Sequence, residues 1–171
     1  MKKISLLVIT LITMASCQQT TKKIAFVDNS KLINEYQEKI DVEAKYKTMI
    51  EASNKNTDSL AKAFQAEYQE FQTQAAKMPQ DKAQARYQQL GQKQQMLQQQ
   101  IQQGEQQITA QSQKEIDSLI SKVRKFVKDY GKTNAYDYIL GSNDAGSVMY
   151  GKDTDDLTET LIKELNASYK K

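Results

Sequence analysis

The chain has 171 residues, 39% of them apolar, with no histidine, no tryptophan, one proline and one cysteine. These counts exclude an intrachain disulfide, a Cys/His metal site and every nucleophile system that needs a histidine. The formal net charge is +3, but without Lys2 and Lys3 of the leader 22 basic residues face 21 acidic ones, so bulk charge gives no support for nucleic-acid binding.

Lys2-Lys3 and the apolar run from Ile4 to Ala15 have the shape of a signal peptide. The run is too short to span a bilayer, which takes about 20 apolar residues. Met14-Ala15-Ser16-Cys17 resembles a bacterial lipobox, with Met14 where leucine is usual. The expectation is a lipoprotein signal over residues 1–17 that ends at an acylated Cys17, then a polar tether over 18–22. The bland alternative is a chance cysteine beside an ordinary cleavage site. Several acyl chains would anchor the body stably to a membrane, on its periplasmic side.

Lys23 to Asp28 reads as a strand, with Ile24 and Phe26 on one face and Ala25 and Val27 on the other. Asp28, Asn29 and Ser30 are all good N-caps for the helix that follows. Asp28 has no partner acid, base or metal ligand nearby in sequence, so a cap is the better reading than a catalytic acid.

Residues 29–130 then carry one long helical pattern, rich in Glu, Gln, Lys and Ala. Apolar residues recur at threes and fours: Leu60, Phe64, Tyr68, Phe71, Ala75 and Met78, then Ala83, Tyr87, Leu90, Leu97, Ile101 and Ile108. That narrow seam has near-heptad spacing. Pro79 interrupts it, so a hairpin tip is expected near 78–81. Arms of roughly fifty residues would reach ~75 Å. The polar stretch Ser53 to Asp58 is a candidate bend or joint. Lys77, Lys82, Arg86 and Lys93 make the tip mildly basic, which a solvated end explains as well as a binding site does. Past Ile108 the seam slips through Ser112, Ile116, Leu119, Val123, Phe126 and Tyr130, a stutter that relaxes the supercoil. Ile116 to Tyr130 should pair with Leu32 to Ile50 at the base.

Gly131 is the expected residue just past the helix end. Tyr136 to Leu140 and Ser147 to Tyr150 read as two strands around a turn at Ser142 to Gly146. Thr154 or Asp155 would cap a last amphipathic helix carrying Leu157, Leu161, Ile162 and Leu165. The fold class is therefore α+β, mainly α: a long antiparallel coiled-coil helical hairpin on a small β-sheet body formed by residues 23–28 and 131–171. One protomer has little apolar area in that body, and joining sheet edges between chains would compensate.

This order of elements resembles the Skp/OmpH family of periplasmic chaperones. The resemblance rests on Lys23-Ile24-Ala25-Phe26-Val27-Asp28 leading into Leu32-Ile33, on Tyr136-Asp137-Tyr138-Ile139-Leu140, on Val148-Met149-Tyr150, and on Asp156-Leu157-Thr158 opening the last helix. It covers about residues 22 to 168. It implies a homotrimer whose hairpins enclose a cavity and hold unfolded outer-membrane proteins without ATP, catalysis, cofactor or metal. Under that reading the candidate client contacts are Tyr46, Met49, Phe64, Tyr68, Phe71, Met78, Tyr87 and Met96. The candidate oligomerisation residues are Ile24, Phe26, Val27, Ile139, Leu140, Val148 and Tyr150. Two features depart from the family pattern: the lipid anchor at Cys17, and a tip without a dense arginine cluster. The rival reading is a lipid-anchored coiled-coil scaffold that binds no client. A pure spacer, however, has no need of a sheet.

Overall fold

The computed structural model describes residues 22–143 and 146–169, so Cys17 and the leader lie outside the described residues. Strand β1 (Ile24–Asp28) buries Ala25 and Val27 and leaves Ile24 exposed, the alternation its sequence predicts. Asp28 then caps helix α1 (Asn29–Asn34), its Oδ1 accepting from the Lys31 N–H at 2.9 Å.

The helical pattern breaks here, one break more than the single interruption expected at Pro79. Glu35 and Tyr36 separate α1 from α2 (Gln37–Ala75). The cause is tertiary. The buried Tyr36 ring meets Tyr169 edge-on, with centroids 5.9 Å apart. Asn166 accepts from the Gln37 N–H at 2.7 Å and donates its amide to the Glu35 carbonyl at 3.0 Å. The first free N–H of α2 is thus capped from the far end of the chain.

Helix α2 runs unbroken through Ser53 to Asp58. Ser53 and Thr57 lie half-buried on the seam side, and Ser59 returns its hydroxyl to the Lys55 carbonyl at 2.8 Å within the helix. The tip falls where Pro79 predicts, between Ala75 and the start of α3 (Gln80–Thr133). With 39 and 54 residues, the two helices are about 60 and 80 Å long.

Helix α3 does not end at Gly131 but at Thr133, capped by Asn134. Gly131 serves close approach instead: a Cβ there would lie 3.2 Å from Ile139 Cδ1. Ala135 takes the left-handed turn, at φ 54°, and the Asn134 amide donates to the Tyr130 carbonyl at 2.9 Å. Tyr136 is held off the strand by its ring, which stacks on Tyr130 at 6.2 Å. Strand β2 accordingly spans Tyr138–Ser142, two residues later than expected.

β2 pairs with β1 in parallel, from Ile24 opposite Tyr138 to Asp28 opposite Ser142. Parallel neighbours need a long crossover, and here the entire helical hairpin is that crossover. The expected third strand, Ser147 to Tyr150, forms no ladder among the described residues. The other edge of β1 carries only the bridge between Phe26 and Asp156. Among the described residues the sheet therefore has two strands rather than three.

Thr154 and Asp155 do not cap the last helix; they sit in a 3-10 turn (Asp153–Asp155). Helix α4 (Thr158–Ser168) is started by Asp156, whose Oδ1 accepts from the Thr158 N–H at 2.8 Å. The Leu157 N–H donates to the Phe26 carbonyl and the Asp28 N–H to the Thr158 hydroxyl, both at 2.9 Å, which fixes α4 on β1. Leu161, Ile162 and Leu165 complete a core with Val27, Leu32, Tyr36, Leu119 and Val123. Burying each such aliphatic side chain contributes about 1.5–3 kcal/mol. As expected, the base of α3 packs with the start of the outgoing arm. Among the described residues no helix is long and apolar enough to cross a membrane.

Candidate functional site

Two surfaces carry the candidate residues: the arms and the outer face of the body. Their arrangement follows from how α2 and α3 are tied. Near the base, Glu38 takes hydrogen bonds from Lys122 and from the Tyr36 hydroxyl, the latter at 2.6 Å. Burial opposes the charge on Glu38, but the Lys122 and Tyr36 bonds outweigh it and hold the carboxyl below the ordinary range. Further out, Glu115 accepts from Lys45 at 2.6 Å and from the Tyr46 hydroxyl at 2.9 Å; these bonds, Lys45 first, make it more acidic. Near the tip, Glu67 is bonded by Lys93 and by Arg86, at 2.7 Å from the latter. Lys93 is the larger cause of its lowered pKa. Arg86 and Lys93 therefore share one acid across the hairpin, while Lys77 and Lys82 are in no ion pair among the described residues.

Beside Glu67 the arms part around a groove of about 430 Å³, lined by Phe64, Gln65, Tyr68, Tyr87, Leu90, Gly91 and Gln94. Phe64 and Tyr68 stack with centroids 6.4 Å apart, and Tyr87 is 61% exposed. Gly91 opens the groove, since a Cβ there would meet nothing within 4 Å. Three of the eight predicted contact residues, Phe64, Tyr68 and Tyr87, thus meet in one place. Met49, Phe71 and Met78 are half-buried elsewhere along the arms, and Met96 is 62% exposed but apart from the groove. Tyr46 lies inside the hairpin instead: it is buried and bonded to Glu115, so its ring belongs to the seam. The groove also uses Leu90 and Gly91, which the sequence reading did not single out as contacts. A glycine in a helix interior, where it weakens the helix, was the available signal.

On the body, Ile24, Tyr138 and Leu140 are exposed and Phe26 half-buried, all on the sheet face turned away from the core. Tyr150 is 86% exposed, and Val148 and Ile139 are half-buried. Val27, expected at an interface between copies, is buried in its own protomer's core. Among the described residues no group of three or more acidic, cysteine or histidine side chains is arranged to hold a metal.

The architecture of a small sheet body crossed over by an arm-length hairpin is matched by a family profile, described as outer membrane protein (OmpH-like), over residues 23–165. The chain belongs to the OmpH-like family. Its fold is similar to that of a solved OmpH-like protein from Caulobacter crescentus, proposed to be an outer membrane chaperone, with TM-score 0.77 and 16% identity over 88% of this chain and 87% of that one. No curated protein matches the chain. In this OmpH-like chain the arms carry the aromatic groove and the body carries an uncovered apolar sheet face.

Proposed function

We propose that this protein is a holding chaperone that binds unfolded outer-membrane proteins between its arms without ATP. Family membership supports the chaperone role. The observation that carries the rest is the groove of Phe64, Tyr68, Tyr87 and Leu90, an apolar patch on arms whose surface is mostly glutamine and charged residues. Unfolded barrel chains present scattered aromatic and aliphatic side chains. Many weak contacts of this kind retain a client yet exchange without nucleotide. The proposal includes self-association into a trimer through the body, with arms enclosing the client, and a periplasmic position anchored through an acylated Cys17. It includes no catalytic step and no cofactor.

The test is dilution of a urea-unfolded outer-membrane barrel protein into buffer, followed by light scattering with and without this protein. Suppression near a few protomers per client is the expected outcome. No suppression by a folded, helical protein would replace this reading with a lipid-anchored scaffold.

A further inference from the structure

Lys23 fixes where the chain enters the fold. Its N–H donates to the Asp137 carboxylate at 2.6 Å, its carbonyl accepts from the Asp137 N–H at 2.8 Å, and its ammonium donates to the Asn134 carbonyl at 2.8 Å. Asn134 caps the end of α3, and the hairpin tip lies at the other end of that helix, about 80 Å away. From Lys23, β1 runs back along α3 toward the arms. Ile139, opposite Ala25 near the start of the ladder, lies against Gly131, whereas Asn29 just past its end shares a cavity with Ile120. The entry point is therefore the pole of the body that faces away from the arms.

Lys22 stands five positions after Cys17. A chain extends at most about 3.3–3.6 Å per residue, so an acylated Cys17 holds Lys22 within ~18 Å of the lipid. Such a tether does not by itself set the tilt. A body free on it would let the long arms lie along the same membrane. What sets the tilt is the surface of the pole.

Lys22, Lys23, Lys128 and Lys132 surround that pole, all exposed and in no ion pair among the described residues. The Lys22 and Lys23 ammoniums lie over the Tyr138 and Tyr136 rings, 5.8 and 4.0 Å from the centroids. Tyr138 is exposed, with the exposed Ile24 opposite it in the ladder. Two acids share this end, and each is already bonded: Asp137 by the Lys23 N–H and Asp129 by Lys125. Asp129 is held below the ordinary carboxylate range by Lys125 first, with Lys132 and Lys128 adding. Asp153 and Asp155 sit beside the other edge of β1, and Glu164 faces Tyr130. Exposed lysines beside tyrosine rings settle at a bilayer interface, with stems and rings among the headgroups and the ammoniums on the phosphates.

We propose that this pole of the body is seated on the anionic headgroups of the membrane that carries the anchor, through Lys22, Lys23, Lys128 and Lys132 with Tyr136 and Tyr138, so that the arms stand away from that membrane. The inference rests on the acylated Cys17 included in the proposed function and adds the surface that sets the orientation. The groove of Phe64, Tyr68 and Tyr87 is then held out in the aqueous space.

The experiment uses the chain from Gln18 onward, which keeps every described residue and contains no cysteine. An N-terminal hexahistidine stands for the acyl anchor, on vesicles that carry a nickel-chelating lipid. A fluorophore on Thr133→Cys at the pole or on Gln80→Cys at the tip is read against nitroxide-headgroup lipids, which quench at contact. On vesicles with phosphatidylglycerol, quenching at position 133 and none at position 80 is the expected result. Quenching at position 80, or at neither position, would overturn the seating. Equal quenching at position 133 on vesicles without anionic lipid would overturn it too, since the tether alone would then explain the contact. Each lysine at an anionic surface changes affinity about fivefold, so Lys22→Gln, Lys128→Gln and Lys132→Gln together should bring that quenching down to the level without anionic lipid. Unchanged quenching in the triple variant, with helicity intact, would count against the seating. Mass spectrometry of the full-length protein extracted from membranes tests the anchor separately. An unacylated Cys17 would overturn the anchor and leave the vesicle result on the pole standing.

Discussion

Tyr46 on the outgoing arm donates its phenol proton to Glu115 on the returning arm, 2.9 Å away, while Lys45 reaches the same carboxylate oxygen at 2.6 Å. Two donors on one acid, backed by a buried ring, make this the middle of three charged ties across the hairpin. Glu38 with Lys122 lies below it and Glu67 with Arg86 and Lys93 above.

All three acids are more acidic than the ordinary glutamate value of 4.5. Their stabilisation is complete above that value and is lost as the pH falls through each lowered one. Thermal unfolding followed by circular dichroism should therefore show a melting temperature level from pH 7 to about 5 and falling below the ordinary glutamate range. Glu67→Gln should flatten part of that fall. Salt should weaken the Glu67 and Glu115 ties, which face water.

The closing helix is held chiefly by burial, with Lys31 paired to its Glu159 at the exposed rim. Leu161 has no exposed surface and packs in the core with Leu32 and Leu119. Leu161→Ala should cost about 2–5 kcal/mol in urea unfolding, the range for a buried leucine that leaves a cavity.

Asn166 joins the two ends of the described chain, capping Gln37 and holding the Glu35 carbonyl. Asn166→Ala should lower stability by about 1 kcal/mol, as for other lost caps. Hydrogen exchange should report the loss first at the amides of Gln37 and its neighbours.

Gly91 and Gly104 both sit inside α3 with open space where a Cβ would go. Gly104→Ala should stabilise the protein by about 0.5–1 kcal/mol. Gly91→Leu should also raise the melting temperature, yet fill the groove beside Tyr68 and Tyr87. It should then suppress client aggregation several-fold less well. A rise in stability with a fall in holding would separate the groove's role from the fold's.

Local periodicity made the hairpin legible. The spacing of Leu60, Phe64 and Tyr68 on α2, and of Leu90, Leu97 and Ile101 on α3, needs no partner to be read. Pro79 marks the tip because its ring excludes a continuing helix whatever surrounds it. Asp28 was legible as a cap for the same reason, since its bond reaches only to Lys31. The aromatic groove was half legible: Phe64, Tyr68 and Tyr87 were singled out, but helix spacing does not say which ring turns toward the seam. Tyr46 went inside because Glu115, almost seventy residues later, offers its hydroxyl a partner.

The sequence by itself determined the long helices, the place of their turn, the first strand and the apolar face of the last helix. Each of these depends on contacts within a few residues. Only the tertiary structure decided the break at Glu35 and Tyr36, the parallel pairing of β1 with β2, the helical place of Gly131 and the lack of a ladder at Ser147 to Tyr150 among the described residues. Each of those depends on a partner distant in the chain. A strand pattern specifies an extended backbone with alternating faces, but its hydrogen bonds are completed by whichever edge the fold brings alongside.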